Sequence, residues 1–170
     1  AQQHMIHQYA EAKEGTVGFQ AVRVVDVPAQ GLTNSVIDPV DCSAGGGADP
    51  LIRVLWGQVG PSAGWTATDL KNHNNQSLVI RVDYGQASLL ITGDLEERGI
   101  EDLVARYAGT NLLDTDIYIV GHHGAANATT DPLLVAISPE MAVLSMGPFD
   151  REDSWTGWAY GHPRGETISS

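Results

Sequence analysis

Leu89-Leu90-Ile91-Thr92-Gly93-Asp94 and Ile117-Tyr118-Ile119-Val120-Gly121-His122-His123-Gly124 decide how this chain reads. Each is a short apolar run that stops at a glycine beside a carboxylate or an imidazole. Runs of this length, bounded by glycine, read as buried strands. An acid at the end of one strand and a histidine pair at the end of the next place metal-capable groups on rigid supports. The pattern points to metal-dependent hydrolysis.

Working outward, Ser77-Leu78-Val79-Ile80-Arg81-Val82 reads as a strand, and Tyr84-Gly85-Gln86 turns it into the run Ala87 to Thr92 as a hairpin. Residues 95–107 carry Ile100, Leu103, Val104 and Tyr107 at i, i+3, i+4 and i+7, the spacing of a helix. Asp114 to Val120 reads as a strand, 130–137 as a short helix and Met141 to Met146 as a last strand. Upstream, 2–14 reads as a helix stopped by Gly15, 17–27 as a strand and 29–50 as a long loop. Leu51 to Trp56 reads as a strand and 57–76 as a second loop. Residues 148–170 carry Trp155, Trp158, Tyr160 and His162 with little periodicity. Strands alternating with helices predict an α/β (α+β) architecture in one domain over 1–170.

Composition narrows the function. The chain has 170 residues, 42% of them apolar, enough for one core. No run approaches the roughly 20 apolar residues of a bilayer span, so no membrane contact is expected from this segment. No signal-peptide pattern follows Ala1, and cellular location stays open. A start at alanine fits a processed terminus or a cut from something longer. One cysteine, Cys42, excludes an internal disulfide and a thiolate cage. A net charge of −12, from 9 basic and 21 acidic residues, argues against a broad basic groove for nucleic acid. It does not exclude a phosphodiester substrate, because a bound cation reverses the local field.

Taken together and in order, several motifs resemble the metallo-β-lactamase superfamily. They are Asn74-Asn75-Gln76-Ser77-Leu78-Val79-Ile80, Tyr84-Gly85, Leu89-Leu90-Ile91-Thr92-Gly93-Asp94, Asp116, Gly121-His122-His123-Gly124, Ser138-Pro139, Ser145-Met146-Gly147 and Gly161-His162-Pro163. Within the superfamily they are most similar to the hydrolase domain of ComEC-type DNA-uptake proteins and their free-standing relatives, over residues 50–163. The family carries Ser after the histidine pair and glycine, where this chain has Ala125.

The resemblance implies an αββα sandwich of two facing sheets with helices outside, and a site at the sheet edge holding two zinc ions, or manganese. It makes Asp94 the bridging ligand and draws on the pair His122 and His123. Of the two, His122, directly after the strand-end glycine, is the expected ligand. His162, in an aromatic loop, becomes the group near the substrate's leaving oxygen. A metal-bound water would attack a phosphodiester or related phosphate ester, nucleic acid among the candidates, with no protein nucleophile.

One departure matters more than Ala125. The superfamily's His-x-His-x-Asp-His signature is absent from these 170 residues. His4-Met5-Ile6-His7 has ligand-capable i, i+3 spacing but no surrounding likeness to it. The chain therefore reads as the second half of the fold, inactive alone. Its expected partner is the missing N-terminal half or a second copy, because the inner face of its sheet would otherwise lie uncovered. The competing reading is a degenerate, non-catalytic domain for binding or assembly, with Trp155 and Trp158 as contact residues.

Individual residues carry bland alternatives. Asp94 could cap the following helix. His73, among Asn72, Asn74 and Asn75, reads first as a turn residue and second as a ligand.

Overall fold

Period-two runs flanked by turn residues become a sheet, and the 3.6-period runs become the helices that cover it. The computed structural model describes residues 46–58, 62–147 and 161–169. The readings for 2–14, 17–27 and most of 29–50 lie outside the described residues, as do His4, His7, Cys42, Trp155, Trp158 and Tyr160.

The described residues form a mixed α+β fold on one five-stranded sheet in the order β1-β2-β3-β4-β5. The strands are β1 (Leu51–Trp56), β2 (Val79–Tyr84), β3 (Ala87–Ile91), β4 (Ile117–Ile119) and β5 (Met141–Val143). β1, β2 and β3 pair antiparallel, while β3, β4 and β5 run parallel. The helices are α1 (Ala67–Lys71), α2 (Glu97–Tyr107), α3 (Asp131–Ile137) and α4 (Gly165–Ser169). Helices α2 and α3 are the crossovers that parallel strands require. Among the described residues no helix is long and apolar enough to cross a membrane.

The loop expected over 57–76 contains α1 and a 3₁₀ turn, His73–Gln76. Helix α1 is five residues long, too short for a periodicity to show. It is held by a capping box: Thr66 Oγ1 accepts from the Asp69 amide, and the Asp69 carboxylate accepts from the Thr66 amide. The Thr66 hydroxyl, which contributes most, and the Thr66 amide both donate to the Asp69 carboxylate and hold its pKa below the ordinary value. The last stretch, without periodicity in the sequence, ends in the short helix α4.

One face of the sheet meets the helices. Leu55, Trp56, Val79, Leu90 and Tyr118 pack there with Ile100, Leu103 and Tyr107 of α2 and Leu133 and Ile137 of α3. All ten are at most 2% exposed. Each such side chain contributes about 1.5–3 kcal/mol by leaving water. The buried polar tips are satisfied. Trp56 Nε1 donates to the Asn75 carbonyl at 3.1 Å, and the Tyr107 hydroxyl donates to the Leu55 carbonyl at 2.8 Å.

Register places a second set on the opposite face: Ile52 and Val54, Ile80 and Val82, Leu89 and Ile91, Ile117 and Ile119, Met141 and Val143. Every one is apolar, yet only Val54 is fully buried. On the edge strand Met141 is 58% and Val143 40% exposed.

Candidate functional site

The parallel half of the sheet places the site. Strands β3, β4 and β5 run the same way, so their C-terminal ends lie side by side. Thr92-Gly93-Asp94 leaves β3, Val120-Gly121-His122-His123 leaves β4, and Leu144-Ser145 leaves β5. A cleft at the carboxyl ends of parallel strands is where α/β sheets commonly bind ligands.

Local chemistry fixes each turn. After β3, the Leu95 amide donates to the Thr92 carbonyl at 3.2 Å, closing a tight turn that leaves Asp94 exposed. Asp94 is not the cap of α2; that position belongs to Glu96. After β4, the buried Tyr118 hydroxyl needs partners in the core. It accepts from the Gly121 amide at 3.0 Å and donates to the Ala128 carbonyl at 3.3 Å. The His122 amide then donates to the Gly93 carbonyl at 3.0 Å, joining the two turns through their backbones.

The histidine pair is strained. His122 (φ 45°, ψ 45°) and His123 (φ 54°, ψ 27°) both occupy the left-handed region. Each costs about 1–2 kcal/mol relative to an ordinary backbone. Two consecutive non-glycine residues held this way mark a place where side-chain position outweighs local stability. Gly124 follows at φ +82°, and a Cβ there would come within 2.7 Å of Pro163. That close approach lets the 161–169 segment sit on the turn. The Gly124 carbonyl accepts from the Arg164 amide at 2.9 Å and from Thr167 Oγ1 at 3.1 Å.

His162 is thereby delivered to His122, their ring centroids 5.4 Å apart. The ring of His123 lies 6.4 Å from that of His122, edge-on, and its Nδ1 is 2.8 Å from the Ser145 carbonyl, which implies a proton on that nitrogen. Burial lowers the pKa of His162 below 6.5, helped by the nearby charges of His122, Arg164 and His123.

Glu96, absent from the sequence reading, belongs here with Asn72 and Asn74, which read only as loop and motif residues. Glu96 Oε2 accepts from Asn72 Nδ2 at 2.6 Å, and Oε1 accepts from Asn74 Nδ2 at 2.8 Å. The same Oε1 lies 3.2 Å from His122 Nδ1, off the line of a hydrogen bond. A signal existed: glutamate is a poor N-cap residue, so Glu96 at a helix start called for another role. His73, in the adjacent 3₁₀ turn, is exposed.

The structure therefore brings His122, His123 and His162 together and joins the turn that carries Asp94 to them through backbone. Carboxylate and imidazole are the donor types that zinc takes. Their number falls short: among the described residues no three His, Cys, Asp or Glu side chains stand as a group that could hold a metal ion. A polar cavity of about 190 Å³, lined by Arg81, Asp83, Ser88 and Asp116 among others, lies at the other ends of β3 and β4. There Ser88 donates to the Asp116 carboxylate through its hydroxyl and its amide, lowering that carboxyl's pKa.

With this geometry in view, the chain is similar to three competence and recombination proteins. It is 45% identical over 74 residues to Competence protein ComA of Neisseria gonorrhoeae, a match covering 44% of this chain and 10% of that protein. It is 37% identical over 89 residues to Recombination protein 2 of Haemophilus influenzae, covering 52% and 10%. It is 29% identical over 102 residues to ComE operon protein 3 of Bacillus subtilis, covering 60% and 12%. The matches thus span about a tenth of the length of these relatives. No family model and no solved structure matches.

Proposed function

We propose that the chain is part of a metal-dependent hydrolase of the metallo-β-lactamase fold, acting on a phosphodiester or related phosphate ester in the setting of competence and DNA uptake. The observation that carries this reading is the convergence of β3 and β4. Their adjacent parallel ends bring the turn of Asp94 against a strained His122-His123 pair, with His162 beside it. The likeness to the three competence and recombination proteins supports the setting.

In this reading Asp94 and His122 hold the metal from one side. The remaining ligands come from a His-x-His-x-Asp-His segment, which these 170 residues lack. The metal, when bound, supplies a water of lowered pKa and a counter-charge for the developing oxyanion. His123 is tied to the Ser145 carbonyl and braces the turn rather than ligating. In the same reading His162 would stand near the leaving oxygen. Its lowered pKa makes its protonated form a stronger acid than free imidazole.

The test is hydrolysis of bis(p-nitrophenyl) phosphate and of single-stranded DNA by the full-length gene product with zinc. Asp94→Ala and His122→Ala are each expected to lower the rate by about 100-fold or more, the scale on which loss of a charge-stabilising group acts. An inactive full-length protein, or variants as active as the parent, would replace this reading with a non-catalytic binding domain.

A further inference from the structure

The segment that carries His162 also delivers a cation. Arg164 is exposed, and its backbone amide bond to the Gly124 carbonyl ties it to the turn of the histidine pair. Its side chain folds back over Gly161. A Cβ on Gly161 would lie 3.3 Å from Nη1 and 3.5 Å from Cζ of the guanidinium. The charge therefore sits beside His162, whose imidazole feels it, and the His162 ring is in turn 5.4 Å from that of His122. Three other arginines are neutralised in place: Arg53 and Arg81 meet Asp83, and Arg98 meets Glu101 and Asp102. Among the described residues no carboxylate pairs with Arg164.

We propose that Arg164 is the substrate-anchoring cation of this cleft, its guanidinium holding a phosphate of a single-stranded nucleic acid on the His162 side. A guanidinium is planar and presents paired donors that match two phosphate oxygens at once. A chain of net charge −12 offers a polyanion no broad attraction, so its grip on the cleft has to come from single cations placed at the site. The bonds to the Gly124 carbonyl hold the backbone of the segment, so the guanidinium and the imidazole are presented as one unit. Arg164 and His162 lie on the same short segment, which places the bound phosphate on the leaving-group side. That this phosphate belongs to a substrate rests on the hydrolase reading; that Arg164 binds phosphate does not.

The experiment is a fluorescence-anisotropy titration of fluorescein-labelled oligo(dT) with the full-length gene product in a metal chelator, repeated over a series of salt concentrations. Chelation keeps cleavage out of the measurement. Arg164→Gln is expected to weaken binding about tenfold, the scale of one charge-assisted hydrogen bond. It is also expected to make the slope of log affinity against log salt shallower by about 0.7, the share of one phosphate contact on a single strand. Arg164→Lys keeps the charge and loses the fork, so the parent slope is expected with weaker binding. A merely structural arginine would change the affinity and leave the slope unmoved. The parent slope in Arg164→Gln would therefore overturn the proposal, as would a parent protein that does not bind oligo(dT). A shallower slope in Arg164→Lys would overturn it whether or not Arg164→Gln folds. Cleavage of oligo(dT) by the zinc-loaded parent would leave the hydrolase reading standing after any of those results. Binding that depends on Arg164, without cleavage, would remove the hydrolase reading and keep the contact.

Discussion

At the scale of single residues, the site is a set of side chains kept in costly states. His122 and His123 hold left-handed backbones, and His162 is desolvated next to other cationic groups. A histidine whose folded pKa lies below 6.5 binds fewer protons folded than unfolded, so stability rises with pH across that interval. Denaturant unfolding is therefore expected to show the chain losing stability as pH falls below about 6.5, with His162→Gln giving a flatter profile. Equal slopes in the two proteins would mean that His162 is solvated like a free imidazole. Asp94, His122, His123 and His162 were legible because each adjoins a strand-end or turn glycine. Glu96, Asn72 and Asn74 were not, because their mutual contacts join residues 24 and 22 positions apart. No local pattern encodes such a meeting.

At the scale of elements, hydrophobic period was a sound guide where packing enforces it. The helix read over 95–107 runs Glu97–Tyr107, and the strand read over 77–82 runs Val79–Tyr84. The strand expected over 114–120 shortens to Ile117–Ile119; the Asp116 amide donates to the Ser88 hydroxyl at 3.0 Å instead of to a neighbouring strand's carbonyl. The strand expected over 141–146 stops at Val143, and its continuation passes Ser145 beside His123. Helix α1 was missed because a capping box, not an apolar stripe, defines it. Helix α2 carries a contrary case. Gly99 to alanine in a helix interior ordinarily stabilises by about 0.5–1 kcal/mol. Here a Cβ would lie 2.9 Å from the Asn75 carbonyl oxygen, at the place where the Gly99 amide donates to Asn75 Oδ1. Gly99→Ala is expected instead to cost about 1–3 kcal/mol in chemical denaturation. A stabilised variant would show that the 3₁₀ turn does not press on α2 as described.

At the scale of the whole molecule, the sheet has two unequal faces. One is sealed by α2 and α3; the other is continuously apolar across all five strands and only half-buried, with an exposed edge at β5. An inner face in need of cover was expected because the resemblance, without its upstream signature, made the chain the second half of a two-sheet fold. The identity of what covers it, like the rest of the ligand set, was not legible: neither lies among the described residues. The account's central claim is a metal site only part of which is carried by this chain. Metal content by mass spectrometry, measured on the full-length gene product and on the 170-residue chain, tests it most directly. The account predicts about two zinc ions per full-length chain, as in two-metal hydrolases, and little or none on the shorter chain. Absence of metal from both would contradict it.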